Sequence, residues 1–257
     1  MGSDTNESNS HIKNVFIIPS YRELVALPTQ LECLADYLTV DDIIIVADDS
    51  GVEFRSEIVR KCQNSLVASK AKVAFSFSDK KSGRGLAVRR SMSFAVENFP
   101  NIISIIESDA DGSHRVQDIL AVRELKSNSD LIVGSRYLST SEIFGWSLSR
   151  KLLSRGLNMI IPKILNLPMT DVTNGLRRYS PTAVKTLLSV PPLNSGFIYL
   201  SEQALIIKNN NLSIQEIPIT FLDRTHGKST VTWLDLLNSL RGIFRLLQLK
   251  KQFQIVK

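Results

Sequence analysis

The sequence is poor in the residues that build disulfide scaffolds, zinc centres and membrane spans. Its two cysteines, Cys33 and Cys62, have no C-x-x-C spacing, which excludes a disulfide framework and favours a reducing compartment. The three histidines have no zinc-ligand spacing. No stretch of about 18 residues is continuously apolar, so we expect no transmembrane helix. Aromatic residues make up only 7% of the chain and do not interleave with a basic stripe, which disfavours nucleic-acid binding.

Acidic residues are scarce in the second half of the 257-residue chain. Residues 1–128 carry 15 basic and 18 acidic side chains, whereas residues 129–257 carry 16 basic and only 7 acidic ones. A basic half implies an anionic partner, such as nucleic acid, a phosphorylated ligand or a membrane surface. The first residues are polar and lack the pattern of a secretory signal, so residues 1–12 are predicted to be a disordered lead-in.

Apolar runs and helical spacing alternate along the chain. Strands are predicted at 14–19, 43–47, 72–77, 102–107, 131–134, 171–179 and 212–221, and helices at 24–37, 53–66, 86–98, 116–126, 148–165, 181–189, 197–208 and 233–249. This order predicts an α/β fold with a mostly parallel sheet and helices on both faces. We expect one domain over 13–230 and an amphipathic, basic C-terminal helix over 231–257. In such folds ligands bind at the carboxyl ends of the strands.

The segment from Glu107 to His114 carries the sharpest chemical signal. Asp109 and Asp111 follow a buried strand at i and i+2, so their carboxylates can converge on a hard divalent cation. Mg²⁺ and Mn²⁺ prefer such oxygen ligands and can bridge to substrate phosphates. The alternative is a polar turn at the end of a strand.

Two other strand or helix ends have candidate roles. Asp48 and Asp49 follow the second strand and could contact a nucleoside, or could simply cap the next helix. The glycine-rich segment from Lys81 to Ala87 opens a helix, where backbone and Arg84 could approach a phosphate, although such a pattern is often only a turn.

Arginines and serines cluster after residue 134. Arg136, Arg150 and Arg155 occur with Ser135, Ser149 and Ser154 around a predicted helix. Guanidinium and hydroxyl groups suit phosphate oxygens, which accept forked, charge-assisted hydrogen bonds. The alternative is a solvated helix face.

Taken in order, these segments resemble the GT-A inverting glycosyltransferases, and most closely the dolichol-phosphate mannose synthases. The segments that carry the resemblance are Pro19 to Glu23, Asp48 to Ser50, Lys81 to Ala87, Asp109 to His114, Gly134 to Tyr137, Trp146 to Asn158, Asp171 to Arg177, Gly196 to Glu202 and Phe221 to Arg224. The resemblance implies a GT-A nucleotide-sugar-binding fold and a metal-dependent, inverting transfer of a hexose to a polyprenyl or dolichyl phosphate. Mannose from GDP-mannose is the expected donor.

The resemblance also implies site residues. Mg²⁺ or Mn²⁺ would be held by Asp109, Asp111 and Ser113, and the acceptor phosphate by Arg136, Arg150 and Ser154. The donor would be bound by Pro19, Tyr21, Glu23, Asp48, Asp49, Lys81, Gly85, Asp109 and Arg224. Asp109, Asp111, Arg136 and Arg224 are the expected catalytic residues, and Glu202 is a further candidate.

Two departures from the family pattern leave the sugar and the nucleotide open. Gly227 to Thr230 stand where the family has G-E-S-K, and Arg22 replaces its usual Asn. The alternatives are therefore a UDP-sugar donor, a glycan hydroxyl as acceptor, and, more remotely, a non-catalytic or nucleic-acid-binding protein.

The C-terminal helix is the expected membrane contact. Its apolar side carries Trp233, Leu234, Leu237, Leu240, Phe244 and Leu247, and Lys250 and Lys251 follow. Such a helix can lie in an anionic membrane interface, or its first half can pack against the domain. We expect a peripheral protein at the cytoplasmic face of a membrane that meets a lipid acceptor directly or through a membrane partner subunit.

Overall fold

The structure is a computed structural model that describes residues 9–67, 69, 71–223 and 233–255. Among these, strands β1 to β9 span Asn14–Ser20, Asp42–Asp48, Lys72–Phe77, Ser104–Glu107, Leu131–Ser135, Glu142–Ile143, Arg177–Tyr179, Ile214–Pro218 and Thr220–Phe221. Helices α1 to α8 span Ala26–Ala35, Arg55–Leu66, Arg84–Asn98, Val116–Glu124, Leu148–Leu165, Pro181–Ser189, Tyr199–Asn209 and Trp233–Ile255. The predicted alternation of strands and helices is confirmed.

Seven strands form one sheet in the order β3-β2-β1-β4-β7-β5-β8. All neighbours are parallel except β7, which runs antiparallel to both β4 and β5. The predicted strand at 171–179 is wrong for its first six residues. Asp171 accepts hydrogen bonds from the N–H groups of Thr173 and Asn174, which turns the backbone away from any strand partner.

The sheet has an apolar core on each face, because alternate residues of its strands point in opposite directions. In β1, Val15 and Ile17 pack under α3, α5, α6, α7 and α8, whereas Phe16 and Ile18 pack under α1, α2 and α4. The predicted arrangement of helices on both faces is thus confirmed. Ile12 is also fully buried, so the packed chain includes residues before the expected boundary at 13.

The second half of the chain departs from the predicted boundaries. The strand predicted at 212–221 is divided into β8, which joins the main sheet, and β9, which pairs with β6 in a small separate sheet. Pro218 ends β8, and the N–H of Ile219 donates to the carbonyl of Ser135. The division carries Phe221 away from the main sheet and towards the ends of other strands.

Helix α8 ends at Ile255, beyond the periodic stretch at 233–249 but within the C-terminal helix expected over 231–257. Leu246 and Leu249 are buried in the core, whereas Phe244 is 70% exposed. The described part of the helix therefore packs against the domain, and the side chains of 233–240 lie outside the description, as does the predicted lead-in over 1–8. No helix among the described residues is long and apolar enough to cross a membrane.

Candidate functional site

The predicted acidic residues meet at one edge of the sheet. Strand β1 pairs with β2 and β4, which places Ser20 beside Asp48 and Ile17 beside Glu107. Because these strands are parallel, the segments that follow them share the carboxyl edge, where ligands of α/β proteins bind. The turn at Asp109 leaves this edge directly after β4.

The turn from Asp109 to His114 is fixed from both sides. Gly112 has a φ of 76°, and the Asp111 carboxylate accepts the N–H of Ser113 at 3.1 Å. Nδ1 of His114 accepts the N–H of Asp109 at 3.1 Å, so its Nε2 carries the proton that is donated to Oδ1 of Asn174 at 2.8 Å. The two carboxylates therefore stand on a turn whose backbone is set by neighbouring side chains.

Asp109 faces the guanidinium of Arg84, which forms an ion pair with it. Burial raises the pKa of Asp109, but the charge of Arg84, its hydrogen bond and other positive charge nearby together outweigh that effect and lower the pKa to about 2. The carboxylate is thus charged at neutral pH. The sequence-based suggestion that Arg84 binds a phosphate is not what this geometry shows, because its guanidinium is held by protein carboxylates.

Glu107 completes a buried cluster that sequence reasoning missed. Its carboxylate is fully buried and accepts hydrogen bonds from Arg84 at 2.9 Å, Tyr179 at 3.1 Å and Tyr199. Burial, followed by the charge of Glu107, raises the pKa of Tyr179 well above its ordinary value. A charged residue that ends a buried strand was the available signal. The cluster holds Arg84, and hence Asp109, in place.

Gly175 lies against the same ion pair. A Cβ atom there would stand 2.5 Å from Nη2 of Arg84 and 2.8 Å from Oδ1 of Asp109. Only glycine therefore lets the segment before β7 approach the pair this closely.

The oxygen groups of this turn fit a divalent cation. Asp109 and Asp111 supply carboxylates, and the hydroxyl of Ser113 is buried without a hydrogen-bond partner among the described residues. Within that part of the chain no group of three or more His, Cys, Asp or Glu side chains could hold a metal. The protein would thus supply two carboxylates and a hydroxyl, which leaves coordination positions for phosphate oxygens and water.

The two acids after β2 are occupied by the protein. Asp48 accepts the N–H and hydroxyl of Ser50 at 3.1 and 2.7 Å, and burial raises its pKa. Asp49 accepts the N–H groups of Ser82 and Gly83, both at 2.7 Å, and the Ser82 hydroxyl at 2.6 Å. Asp49 therefore ties the glycine-rich segment to β2, and both acids shape the edge of the sheet.

The other predicted donor residues surround this edge. Nζ of Lys81 lies 4.2 Å from the centre of the Tyr21 ring, while Pro19 lies within β1 and Glu23 follows shortly after it. Gly85 packs closely, because a Cβ atom there would lie 2.8 Å from Tyr199. The contact of Lys81 with Tyr21 and the hydrogen bonds of Asp49 with Ser82 and Gly83 thus join the segments that follow β1 and β2 to the glycine-rich segment.

Arg136 is buried, and its guanidinium is hydrogen-bonded within the protein. Its Nε and Nη2 donate to the two carboxylate oxygens of Asp171 at 2.7 and 2.8 Å, and Nη2 also donates to Thr173 at 2.6 Å. Only 6% of the Arg136 side chain and none of that of Asp171 is exposed. The prediction that Arg136 directly grips a phosphate is weakened, since its fork is already occupied by a carboxylate.

Arg150 is the more accessible arginine. It donates to Asp223 at 2.8 Å and lies 4.1 Å from the ring centre of Trp146, with 40% of its side chain exposed. Ser154, one turn along α5, accepts the hydroxyl of Tyr137 at 2.6 Å. These two candidates lie on the same helix and face the chain that follows β5.

Phe221 joins the carboxylate turn to the arginine cluster. Its ring lies 5.4 Å from the His114 ring and 5.3 Å from that of Trp146, and the Arg136 guanidinium is 5.2 Å away. The backbone of Phe221 also bridges that of His114. The predicted metal and acceptor groups are therefore neighbours, separated by one aromatic side chain that sequence reasoning did not single out.

Two candidates remain outside this assembly. Glu202 accepts the N–H of Leu193 at 2.8 Å and the side-chain amide of Asn194 at 2.7 Å, and burial raises its pKa. It fixes the loop that contacts Gly83 and Gly85. Arg224 lies outside the described residues.

Comparison with known proteins gives the context for this geometry. The family profile described as "Glycosyl transferase family 2" matches residues 15–188. An undecaprenyl-phosphate mannosyltransferase of Micrococcus luteus is 26% identical over 216 residues, which cover 84% of this chain and 86% of the relative. A polyprenol monophosphomannose synthase of Mycolicibacterium smegmatis is 24% identical over 221 residues, covering 86% of this chain and 81% of the relative.

Solved structures agree on the fold. A mannosyltransferase from Pyrobaculum calidifontis, in complex with GDP-Man and Mn²⁺, matches with a TM-score of 0.59 at 14% identity over 91% of this chain and 63% of that one. Glucosyl-3-phosphoglycerate synthase from Mycobacterium tuberculosis, with Mn²⁺ and UDP-glucose, matches with a TM-score of 0.58 at 14% identity over 96% of this chain and 81% of that one. At such identities the likeness establishes the GT-A fold alone.

Proposed function

We propose that this chain, which belongs to glycosyl transferase family 2 and is a glycosyltransferase, transfers a hexose from a nucleotide-sugar to a polyprenyl phosphate. The observation that carries the proposal is the position of Phe221, which contacts both His114, at the end of the turn that carries Asp109 and Asp111, and Arg136 of the second half. The names of the two relatives support a polyprenyl-phosphate acceptor and mannose as the sugar. GDP-mannose is accordingly the proposed donor.

The carboxylate side is assigned to the donor diphosphate. Asp109 and Asp111, with the hydroxyl of Ser113, would hold Mg²⁺ or Mn²⁺, which when bound would neutralise charge on the departing nucleoside diphosphate. Asp48 and Asp49 shape the edge on which the nucleoside would lie, while Tyr21 and Lys81 flank it. Asp109, Asp48 and Asp49 are held by ion pairs or hydrogen bonds within the protein, so we expect these three side chains to reorganise little on binding.

The arginine side is assigned to the acceptor. Arg150 is exposed enough to reach a phosphate, and Ser154 and Tyr137 lie beside it on one wall. Arg136 contributes positive charge from behind and holds its loop through Asp171. Attack by the acceptor phosphate on the anomeric carbon, opposite the leaving diphosphate, would invert the configuration of the sugar.

A phosphate acceptor also makes few demands on a base at this wall, where the described residues supply one exposed carboxylate, that of Asp223, which is paired with Arg150. The second pKa of a phosphate monoester is about 6, so the nucleophile is largely ionised at neutral pH and needs little help from a base. Glu107, Asp171 and Glu202 each accept hydrogen bonds from the protein, which makes them poor bases for a sugar hydroxyl. This favours the phosphate over the glycan alternative.

A donor and acceptor screen tests the proposal. The protein would be incubated with GDP- or UDP-sugars, Mn²⁺ or Mg²⁺, and either a short polyprenyl phosphate or a soluble glycan, and the products separated by phase partition and mass. We expect a lipid-linked hexose, formed best from GDP-mannose. Transfer to the glycan without transfer to any lipid phosphate would overturn the proposal, whereas formation of the same product from a UDP-sugar would revise only the donor.

A further inference from the structure

Arg22 follows the end of β1 in a backbone conformation that arginine seldom adopts. Its φ is 58°, in the left-handed region that Asn and Gly tolerate and most other residues avoid. The N–H of Arg22 donates to the Ser50 hydroxyl at 2.7 Å, and that hydroxyl donates to the Asp48 carboxylate at 2.7 Å. The segment that follows β2 therefore fixes the backbone of Arg22 at the carboxyl edge of the sheet.

The side chain of Arg22 is exposed and lies against two aromatic rings. Its guanidinium carbon is 5.3 Å from the centre of the Tyr21 ring and 4.9 Å from that of Phe54. Among the residues that the structure describes, this guanidinium forms no ion pair and donates no hydrogen bond. Cation–π contacts hold a guanidinium in place but leave the N–H groups at its edge unpaired. Arg22 thus presents unused donors beside the proposed donor site.

The position of Arg22 favours contact with the base of the donor rather than with its diphosphate. In the sheet, β2 and β4 lie on opposite sides of β1. Arg22 contacts Phe54, which follows β2, whereas Asp109 and the proposed cation site follow β4. Neighbouring strands are about 4.8 Å apart, so the segments after β2 and β4 start about 10 Å from each other. A nucleoside diphosphate can span that distance, with its phosphates at the cation and its base near Arg22.

Guanine matches the free donors of Arg22 better than the other common bases do. Its O6 and N7 are neighbouring acceptors on one edge, which a guanidinium contacts through two parallel hydrogen bonds. Adenine has an amino donor in place of O6, cytosine also carries an amino donor on this edge, and uracil offers a single carbonyl there. Two donors from one guanidinium are therefore fully used only by guanine.

We propose that Arg22 selects a guanine nucleotide as the donor, by donating hydrogen bonds to O6 and N7 of the base. The inference rests on the proposed function and deepens it, because it identifies the base of the nucleotide-sugar from the chain's own residues. Arg22 is also one of the residues whose departure from the family pattern left the nucleotide open. Asparagine has a single donor nitrogen and no charge, so it cannot reproduce this pair of hydrogen bonds.

Calorimetric binding of nucleoside diphosphates to the full chain, with Mn²⁺ present, tests the proposal. The ligands would be GDP, inosine diphosphate, 7-deaza-GDP, ADP and UDP, which share the diphosphate and differ in the base. Arg22→Asn removes the guanidinium and keeps a residue that tolerates the left-handed backbone, so this variant should fold as well as the wild type. Arg22→Lys keeps the charge on a single donor nitrogen. The matched control is Arg60→Asn, at an exposed arginine on α2.

We expect the wild type to bind GDP and inosine diphosphate alike, and ADP and UDP at least about tenfold more weakly. In Arg22→Asn the affinity for GDP should fall by about tenfold to 10²-fold, while the affinities for ADP and UDP should stay within about twofold. Arg22→Lys should keep only part of the GDP preference. Arg60→Asn should match the wild type with every ligand, and thermal unfolding checks that all three variants fold. The wild type should bind 7-deaza-GDP more weakly than GDP, which tests the contact to N7 without any substitution.

Three outcomes would overturn the proposal: equal binding of GDP and UDP by the wild type, a GDP preference that persists in Arg22→Asn, and an equal loss of affinity for every nucleotide in that variant. The last would show that Arg22 acts on the shared diphosphate. Failure of the proposed function gives a different result. If no lipid phosphate is glycosylated but GDP binding depends on Arg22 as expected, the proposed acceptor is wrong and the base selectivity stands. If a lipid phosphate is glycosylated from UDP-sugars alone, the acceptor stands and the selectivity is wrong.

Discussion

The two sides of the candidate site hold their charges in different ways. On the carboxylate side, Asp109 is paired with Arg84, which is itself held by the buried Glu107 and by Tyr199. On the arginine side, one Arg–Asp pair is buried and another is exposed. The side chains of Arg136 and Asp171 are 6% and 0% exposed, compared with 40% and 37% for Arg150 and Asp223.

This difference separates groups that build the site from groups that can exchange partners. Removing one partner of a buried ion pair lowers the free energy of unfolding strongly, because the remaining charge has neither water nor a counter-ion to stabilise it. An exposed pair is worth little to stability, since water screens both charges. Asp109, Arg84 and Arg136 therefore shape the site, whereas Arg150 can leave Asp223 for an incoming phosphate at small cost.

Removing the second carboxylate of the turn should have the largest effect on activity. In Asp111→Asn the side-chain oxygen can still accept the N–H of Ser113, so the turn should keep its shape. We expect transfer to fall by about 10³-fold, because the amide lacks the charge that would hold a divalent cation. Transfer rates and Mn²⁺ binding by calorimetry would both be measured.

The control for this change is Asp41→Asn, which removes a carboxylate near the start of β2, at the opposite edge of the sheet. Its activity should equal that of the wild type. Retained activity and Mn²⁺ binding in Asp111→Asn would remove Asp111 from the site.

Breaking the buried Arg–Asp pair should have the largest effect on stability. Asp171→Asn leaves the buried guanidinium of Arg136 without a counter-ion, so we expect the free energy of unfolding in urea to fall by about 3–5 kcal/mol at neutral pH. Asp223→Asn, which breaks the exposed pair, should cost less than about 1 kcal/mol. Equal losses in the two variants would contradict the division between buried and exposed pairs.

The acid range gives a second readout of the same pair. Burial raises the pKa of Asp171, but the charge of Arg136 and the hydrogen bonds from Arg136 and Thr173 together lower it by more, so the net shift is downward. A depressed pKa stabilises the fold above the pKa of the unfolded state, about 3.9, and that contribution is lost as the pH falls further. The wild type should lose this stability in acid, and Asp171→Asn should lack that part of the pH dependence.

A smaller effect on activity and stability is expected when a side chain is added at Gly175, beside the pair of Arg84 and Asp109. The Cβ of Gly175→Ala would collide with Arg84 and Asp109, whose side chains cannot withdraw without breaking their pair. We expect transfer to fall by about tenfold to 10²-fold, with a loss of about 1–3 kcal/mol in unfolding free energy. Gly156→Ala in α5 is the matched control, because its Cβ meets nothing within 4 Å, and it should leave stability equal or higher. Full activity in Gly175→Ala would show that the pair can move freely.

The comparison also shows what the sequence could and could not predict. The strands β1, β2, β4 and β5 were predictable as buried apolar runs and β3 from its alternating residues. The acids that follow β2 and β4 had to meet once the sheet was parallel. Strand β7 lies within the predicted 171–179, but its start at Arg177 and its antiparallel direction were not predictable, because both depend on its pairing with β4 and β5. Local patterns thus located the site but left part of its framework unpredicted.

The partners of the charged residues were the least predictable part. Glu107 meets Tyr179 and Tyr199 from 72 and 92 residues away, and Arg136 meets Asp171 from 35 residues away. Residue type alone does not distinguish an arginine that binds phosphate from one that holds a loop in place. Only the fold distinguishes Arg136 from Arg150.

Removing the exposed arginine should have the smallest effect on stability and a selective one on the acceptor. In Arg150→Ala the contacts with Asp223 and Trp146 are lost, which should cost less than about 1 kcal/mol of unfolding free energy. A hydrogen bond to a charged group contributes about 1.5–3 kcal/mol, so KM for a short soluble polyprenyl phosphate should rise by about tenfold or more. KM for the donor should not change, because Arg150 lies on the acceptor wall.

The control is Arg60→Ala, which removes one positive charge from an exposed arginine on α2. Two results would contradict this prediction: a rise in KM for both donor and acceptor, or equal kinetics in Arg150→Ala and Arg60→Ala. Either would show that Arg150 acts only through the electrostatic field of the protein and that the acceptor phosphate is bound elsewhere.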